Sequence, residues 1–443
     1  VSTGWTISNE SFYADMVGTG STLKLRASWG LSGNNNIGNY GHEQVIANPG
    51  GVVFGNSIAT AMWSESIKDQ NLGWESTSQY NVGLDLGLLN DRVQLITNFY
   101  ISRSFDLLFN QPISAVSGAS SMLTNLRDSK IENKGFDLQL DGHVISNSDL
   151  SLIVSGNFSV NRNKVLDMGG ASTIFSTGAE RSYITHVTQE GQPIGMFYGF
   201  KVKGMVRESD MENIAIDDAN FNTATKSFPD GYVLQGPPRS MASSNSLRPG
   251  DLYFEDVNGD GIVNDSDKAV IGTPHPKFTY GFSLNLTYKN LDFGSSFNGV
   301  YGNQVLDGQD YYIYNMEGSG NQYADVANRY RSEAEPGNGL VYRASRGGTQ
   351  SNSTRLSTFY LQNGSFLRWT NVQVGYTLPA GIKYLGVSRL RLYANIDNVL
   401  TLTDYKGYNP EVDYNNGANL TPGVDYGKYP LARAFSIGAK VTF

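Results

Sequence analysis

Between Asp256 and Asp267 the chain reads Asp-Val-Asn-Gly-Asp-Gly-Ile-Val-Asn-Asp-Ser-Asp, with side-chain oxygens at positions one, three, five, nine and twelve: Asp256, Asn258, Asp260, Asn264 and Asp267. Gly261 falls at position six, where a wrapping loop turns sharply, and Ile262 at seven offers its carbonyl. Hard divalent cations bind through oxygen, and this is the spacing by which a twelve-residue loop encloses Ca2+. Asp rather than Glu at position twelve shortens the bidentate arm and weakens the expected site. The competing reading is a solvated Asp/Asn/Gly turn, and the choice between Ca2+ and Mg2+ stays open. Simultaneous agreement at every ligand position favours a structural cation.

Catalytic constellations are missing from the sequence. His42, His143, His186 and His275 are scattered, without the helical pair that zinc requires, and neither a Gly-x-Ser-x-Gly elbow nor a phosphate loop occurs. Asp217 and Asp218 are adjacent, which is a weak signal for glycosidic acid–base work. No catalytic residue is assigned, and the chain is expected not to be an enzyme. A second set is aromatic: Trp63, Trp74, Tyr311, Tyr312 and Tyr314 lie in polar connections among Asn, Gln, Asp and Arg. Rings beside amides and carboxylates suit stacking on sugar faces or gripping a peptide backbone, so these five are the candidate substrate contacts. Singly, each is as well explained by packing one loop against another.

The elements that must position these residues are strands. Phe278, Tyr280, Phe282, Leu284, Leu286 and Tyr288 alternate with small or polar residues, and after Lys289-Asn290 the alternation resumes through Leu291, Phe293, Ser295, Phe297 and Gly299. A period of two places all large apolar side chains on one face. The same pattern recurs around Leu23–Trp29, Tyr80–Leu88, Val93–Ile101, Phe136–Val144, Leu152–Val160, Phe366–Leu378, Arg389–Val399 and Phe435–Phe443, with a strand tail at Gly4–Ile7. Each run is near the ~9–11 residues that one bilayer crossing takes as a strand.

Composition agrees. Charged residues are 17% and apolar residues 39% of the 443, while Tyr (26), Phe (21) and Gly (50) are abundant. Few charges with few apolar residues fits a wall with apolar residues outside and polar ones lining a lumen. No apolar run reaches the ~18 residues of a spanning helix. The net charge of −8 and absence of basic clusters argue against nucleic acid, and the absence of Cys removes disulfides and thiolate sites. Val1-Ser-Thr-Gly-Trp5 lacks the form of a signal peptide, so the chain reads as starting after processing or inside something larger.

The connections alternate short and long, as in outer-membrane barrels with short periplasmic turns and long extracellular loops. The longest, 163–276, carries the 256–267 loop and is expected to have structure of its own. The expected fold is therefore an all-β transmembrane antiparallel barrel. An odd count of about eleven strands implies a part of a larger barrel, since lipid does not tolerate an open edge. A soluble β-sandwich is the alternative.

Several segments together resemble the SusC/RagA family of TonB-dependent outer-membrane transporters of Bacteroidetes. They are Leu23–Gly30 leading to Gly33-Asn34, Gly191-Gln-Pro-Ile-Gly-Met-Phe-Tyr-Gly199, Gly250-Asp251 with Asp256–Gly261, Ile271–Phe278, Asn395-Ile-Asp-Asn-Val399, and Tyr429–Arg433 running to Phe443. The resemblance covers essentially the whole chain through the order of its motifs. It implies a barrel of about 22 strands, of which 1–443 would be the C-terminal part, with the plug and the TonB-contacting segment absent. It also implies an outer-membrane lipid setting, a SusD-like lipoprotein cap, energy from the TonB complex, and import of oligosaccharides or, in some members, oligopeptides. Rival readings are a glycan-holding surface barrel that transports nothing and a Ca2+-dependent carbohydrate-active enzyme.

Overall fold

The computed structural model describes residues 1–443 apart from 18–19, 45, 65, 120, 171–172, 179–182, 241–246, 346–351, 353–354, 380–385 and 413. The chain forms two compact units, one of residues 1–173, 189–193 and 280–294, the other of 174–188, 194–279 and 295–443.

In the first unit, strands β1 (Ser2–Thr6), β2 (Thr22–Asn34), β3 (Glu75–Leu88), β4 (Val93–Pro112), β5 (Ser121–Ser146), β6 (Leu150–Asp167) and β7 (Phe278–Tyr288) are sheet neighbours in chain order. From β1 to β6 each neighbouring pair is antiparallel, and the register stacks residues in rows across strands. Ala27, Val82, Phe99, Phe136 and Val160 form one row. The adjacent row, on the opposite face, is Arg26, Gly83, Asn98, Asp137 and Ser159. Val82 and Phe99 are more than half exposed. On the polar face Arg26 donates to Asp85 at 2.6–3.0 Å and to Asn98 Oδ1 at 3.1 Å. Gly83 makes room for this guanidinium, because a Cβ there would stand 2.7 Å from its carbon.

Tight turns close one end of this wall. Leu89, Asn90 and Asp91 all take positive φ between β3 and β4, and Asn147 Oδ1 accepts from the amides of Asp149 and Leu150 between β5 and β6. At the other end the structure departs from expectation. The 102–128 stretch, between the runs of alternation at Val93–Ile101 and Phe136–Val144, is mostly strand: β4 and β5 run for 20 and 26 residues and pair as far as Pro112 and Ser121. A register shift between Phe105 and Leu107, with Asp106 at φ 52°, breaks the period-two pattern that would have revealed it. Likewise 32–75 contains a hairpin, Ile46–Phe54 with Ser57–Ser64, turning on Gly55 at φ 58°.

The second unit holds the later part of β8 (Leu291–Tyr301) and β9 (Phe366–Thr377), β10 (Arg389–Thr403) and β11 (Ala434–Thr442), neighbours in that order. All eleven strands expected from the alternation are therefore present. The connection between the runs Phe366–Leu378 and Arg389–Val399 lies mostly outside the described residues.

The long connections of this unit do not fold separately. Phe200, Leu252, Phe254 and Val263 share one core with Tyr314, Val326 and Tyr342, and a second cluster joins Phe197, Leu306, Tyr360 and Val424. Segments before β7, between β8 and β9, and between β10 and β11 thus close over common apolar contacts. Each fully buried large side chain stabilises this by roughly 1.5–3 kcal/mol. The 191–199 motif supplies close approach. Gly195 has φ 64° and no room for a Cβ beside the carbonyls of Asn419 and Leu420, and a Cβ on Gly199 would stand 2.5 Å from the Leu356 carbonyl oxygen.

Candidate functional site

The 256–267 loop is folded by its own amides. Asp256 accepts from Gly259 N at 2.7 Å and Gly261 N at 2.6 Å, and both glycines take positive φ. Asn258 Oδ1 accepts from Asp260 N, and Asp260 Oδ1 from Ile262 N. Asp267, 1% exposed, accepts from Val257 N at 2.9 Å and Asn264 N at 2.7 Å, pinning the two ends together. Asn264 Oδ1 caps the turn at 265–267 by accepting from Ser266 N. Ile262 and Val263 are buried, and the latter ties the loop into the larger core.

The donor set is all hard oxygen, as the spacing required, and each carboxylate oxygen keeps a lone pair beyond its amide bond. Two observations bear on a cation. Among the described residues, no three His, Cys, Asp or Glu side chains come together as metal ligands. Arg355, 5% exposed, lies over the rings of Phe200 and Phe254 at 4.7 and 5.2 Å and donates to the Val263 carbonyl at 3.1 Å. Burial lowers its pKa to about 10, while Asp265 and Asp267 act in the opposite sense. The loop's negative charge is thus partly balanced from within the fold.

The aromatic candidates separate. The side chain of Trp63 is outside the described residues, though its backbone lies in the Ser57–Ser64 strand. Trp74, two-thirds exposed, lays its ring over Gly33, where a Cβ would be 2.5 Å from a ring carbon. Tyr311 and Tyr312 share the short helix Gly308–Ile313, their rings edge to face at 5.3 Å. They line a cleft with Tyr183, Leu306, Tyr360 and Tyr426 that holds about 20 Å³, room for a water rather than a sugar ring. Tyr183 and Tyr311 share a hydroxyl hydrogen bond of 3.1 Å. Tyr314 is buried, donates to Asp325 Oδ2 at 2.9 Å, and belongs to the core.

Beneath the cleft lies a group the sequence did not single out. Asp307, Asp310 and Asp425 are 2%, 6% and 1% exposed. Gln362 Nε2 donates to Asp307 Oδ2 at 3.0 Å and Asp310 Oδ2 at 2.9 Å, while the Tyr405 hydroxyl donates to Asp425 Oδ2 at 2.6 Å. Asp307 also caps the helix, accepting from Gln309 N. Burial, then the neighbouring carboxylate, raises Asp307 to about 6 and Asp310 to about 7, and burial beside Asp307 pushes the Tyr405 phenol up strongly. Buried side by side, Asp307 and Asp310 hold a proton near neutral pH. A capping Asp before a helix is legible in sequence. The meeting of 307 and 310 with 405 and 425 is not.

No family model matches the chain. It is 31% identical to TonB-dependent receptor P3 of Formosa agariphila over 99% of this chain and 41% of that protein. It is 32% identical to receptor P39 of the same organism over 99% and 42%. To the TonB-dependent receptor SusC of Bacteroides thetaiotaomicron it is 27% identical, over 99% of this chain and 39% of that protein. Among solved structures, the RagAB peptide transporter matches with a TM-score of 0.74 at 22% identity, covering all of this chain and 43% of that one. Such identity speaks for the fold alone. The chain spans about two fifths of the length of the curated relatives it matches. Similar along its whole length to TonB-dependent receptors, SusC among them, and sharing the fold of RagAB, the chain bears out its resemblance to the SusC/RagA family of outer-membrane receptors.

Proposed function

We propose that this chain is part of an active outer-membrane importer of oligosaccharides, driven through the TonB complex and capped by a SusD-like surface lipoprotein. The observation that carries the reading is the division of labour along the strands. One face bears charged and amide side chains hydrogen-bonded across strands, as in Arg26 with Asp85 and Asn98, and Asn371 with Asn395 and Asp397. The other face is apolar, and the long connections of the second unit pack into one aromatic body. A polar wall suits passage of a hydrated solute, and exposed rings such as Trp74 suit sugar stacking. Chemistry on the cargo is no part of this function.

RagAB is a peptide transporter, but at 22% identity its cargo does not transfer to this chain. Uptake of labelled oligosaccharide and oligopeptide panels, by cells with and without the intact receptor, decides between the two. Receptor-dependent uptake of peptides alone would replace the sugar reading. Binding that persists without TonB-dependent uptake would make the protein a surface glycan-binding barrel, and release of glycan products by the purified receptor would make it an enzyme.

For the 256–267 loop the proposal is a Ca2+ brace that holds the body of long connections. Asp256, Asn258, Asp260, Asn264 and Asp267 would supply side-chain oxygens and Ile262 its carbonyl. Calorimetric titration of the purified receptor with Ca2+, and with Mg2+, tests it. Loss of binding on Asp256→Ala with Asp260→Ala is expected, and unchanged metal content in that double variant would leave the loop a self-closed turn.

A further inference from the structure

On the apolar face of the first unit, the register places a charged row where the apolar band stops. Lys134 of β5 pairs directly with Arg162 of β6 and, on its other side, with Ile101 of β4. The row before it is Val82, Phe99, Phe136 and Val160, an apolar groove of about 400 Å³ whose Phe rings lie 4.7 Å apart. In the row beyond, Glu132 faces Arg103 and Lys164. Arg103 holds Glu132 at 2.8 Å, while neither Lys134 nor Lys164 makes an ion pair among the described residues. All four cations are exposed.

Like charges directly opposite on neighbouring strands have Cβ atoms ~4.5–5.5 Å apart and destabilise the sheet. Lys134 opposite Arg162 is such a pair, and an anion between them would remove the penalty. Its place in the membrane follows from the turns. The row lies along β4–β6 at about one bilayer crossing, ~9–11 residues of strand, from the short turns at 89–92 and 146–150, and short turns are periplasmic in this class. Trp29 and Tyr80, on the same row, mark the interface as aromatic-belt residues do. The cations therefore stand at headgroup level of the outer leaflet, directly above a groove that fits a hydrocarbon chain.

We propose that Lys134, Arg162 and Lys164 bind the phosphate of a phosphorylated glycolipid of the outer leaflet, with an acyl chain lying against Phe99 and Phe136. The site is separate from cargo passage, because it is on the face opposite Arg26 and Asp137. The test uses the intact receptor in phosphatidylcholine nanodiscs carrying phosphorylated lipid A or its dephosphorylated form, with bound lipid counted by native mass spectrometry. Wild type is expected to retain the phosphorylated form, and Lys134→Gln/Arg162→Gln/Lys164→Gln to hold it on the order of a hundredfold more weakly. Lys289→Gln, at a short turn, is expected to behave as wild type. Equal retention of the two lipids by wild type, or of phosphorylated lipid by wild type and the triple variant, would overturn the proposal and leave the cations as general interface anchors. Cargo uptake in the triple variant reports whether it still folds, and a variant without uptake is replaced by Lys134→Gln alone, expected to weaken retention severalfold.

Discussion

Asp310→Asn isolates the proton held in the buried acid cluster. The wild-type carboxyl has an ordinary value of 3.8 and is raised to about 7 by burial and by Asp307. Below about pH 4 it is protonated folded or unfolded and contributes nothing to pH dependence. Between there and pH 7 the unfolded chain releases the proton while the folded chain keeps it, so stability falls as pH rises and levels off above 7. The full difference is on the order of 4 kcal/mol for this group, and Asp307, raised to about 6, titrates with it in the same sense. Asn keeps an acceptor for Gln362 Nε2 and carries no charge. At pH 8 the variant is therefore expected to be better protected than wild type across 304–313 and 424–428, with the two converging near pH 4. Hydrogen exchange of the intact receptor, corrected for intrinsic rates, measures this. Identical pH profiles, or a less protected variant at pH 8, would refute the shared-proton account.

Three further outcomes are expected. Arg343→Met strands Asp251, which is fully buried and bonded to Arg343 at 2.7 Å, and is expected to destabilise the second unit by about 3–5 kcal/mol in local exchange measurements. Gly199→Ala forces a Cβ to 2.5 Å from a backbone oxygen that cannot swing away, with an expected loss of about 1–3 kcal/mol read as increased proteolysis around 196–199. Asp267→Ala removes a buried acceptor from two amides and should open the 256–267 loop with or without Ca2+, whereas Asp260→Ala should alter the loop mainly when Ca2+ is present.

What could be read from the chain alone was whatever is local. The alternation Phe136, Leu138, Leu140 against Asp137, Gln139, Asp141 specifies a two-faced strand without knowledge of its neighbours, because side-chain direction repeats every two residues. The oxygen spacing from Asp256 to Asp267 likewise names a loop that folds on its own amides. Where a bulge at Phe105–Leu107 shifts the period, the same reasoning ended the Val93–Ile101 strand too early. The rest depends on which distant segments meet. Tyr314 was a candidate ligand contact by composition and is core by packing, and Asp307, Asp310, Tyr405 and Asp425 become one buried hydrogen-bonded cluster only when three connections close over a common core. Lys134 and Arg162 are unremarkable 28 residues apart in sequence until antiparallel register sets them side by side. The sequence by itself determined the faces of the strands, since those follow from backbone periodicity. Tertiary structure decided the partners, since register and burial are set by contacts between residues far apart in the chain.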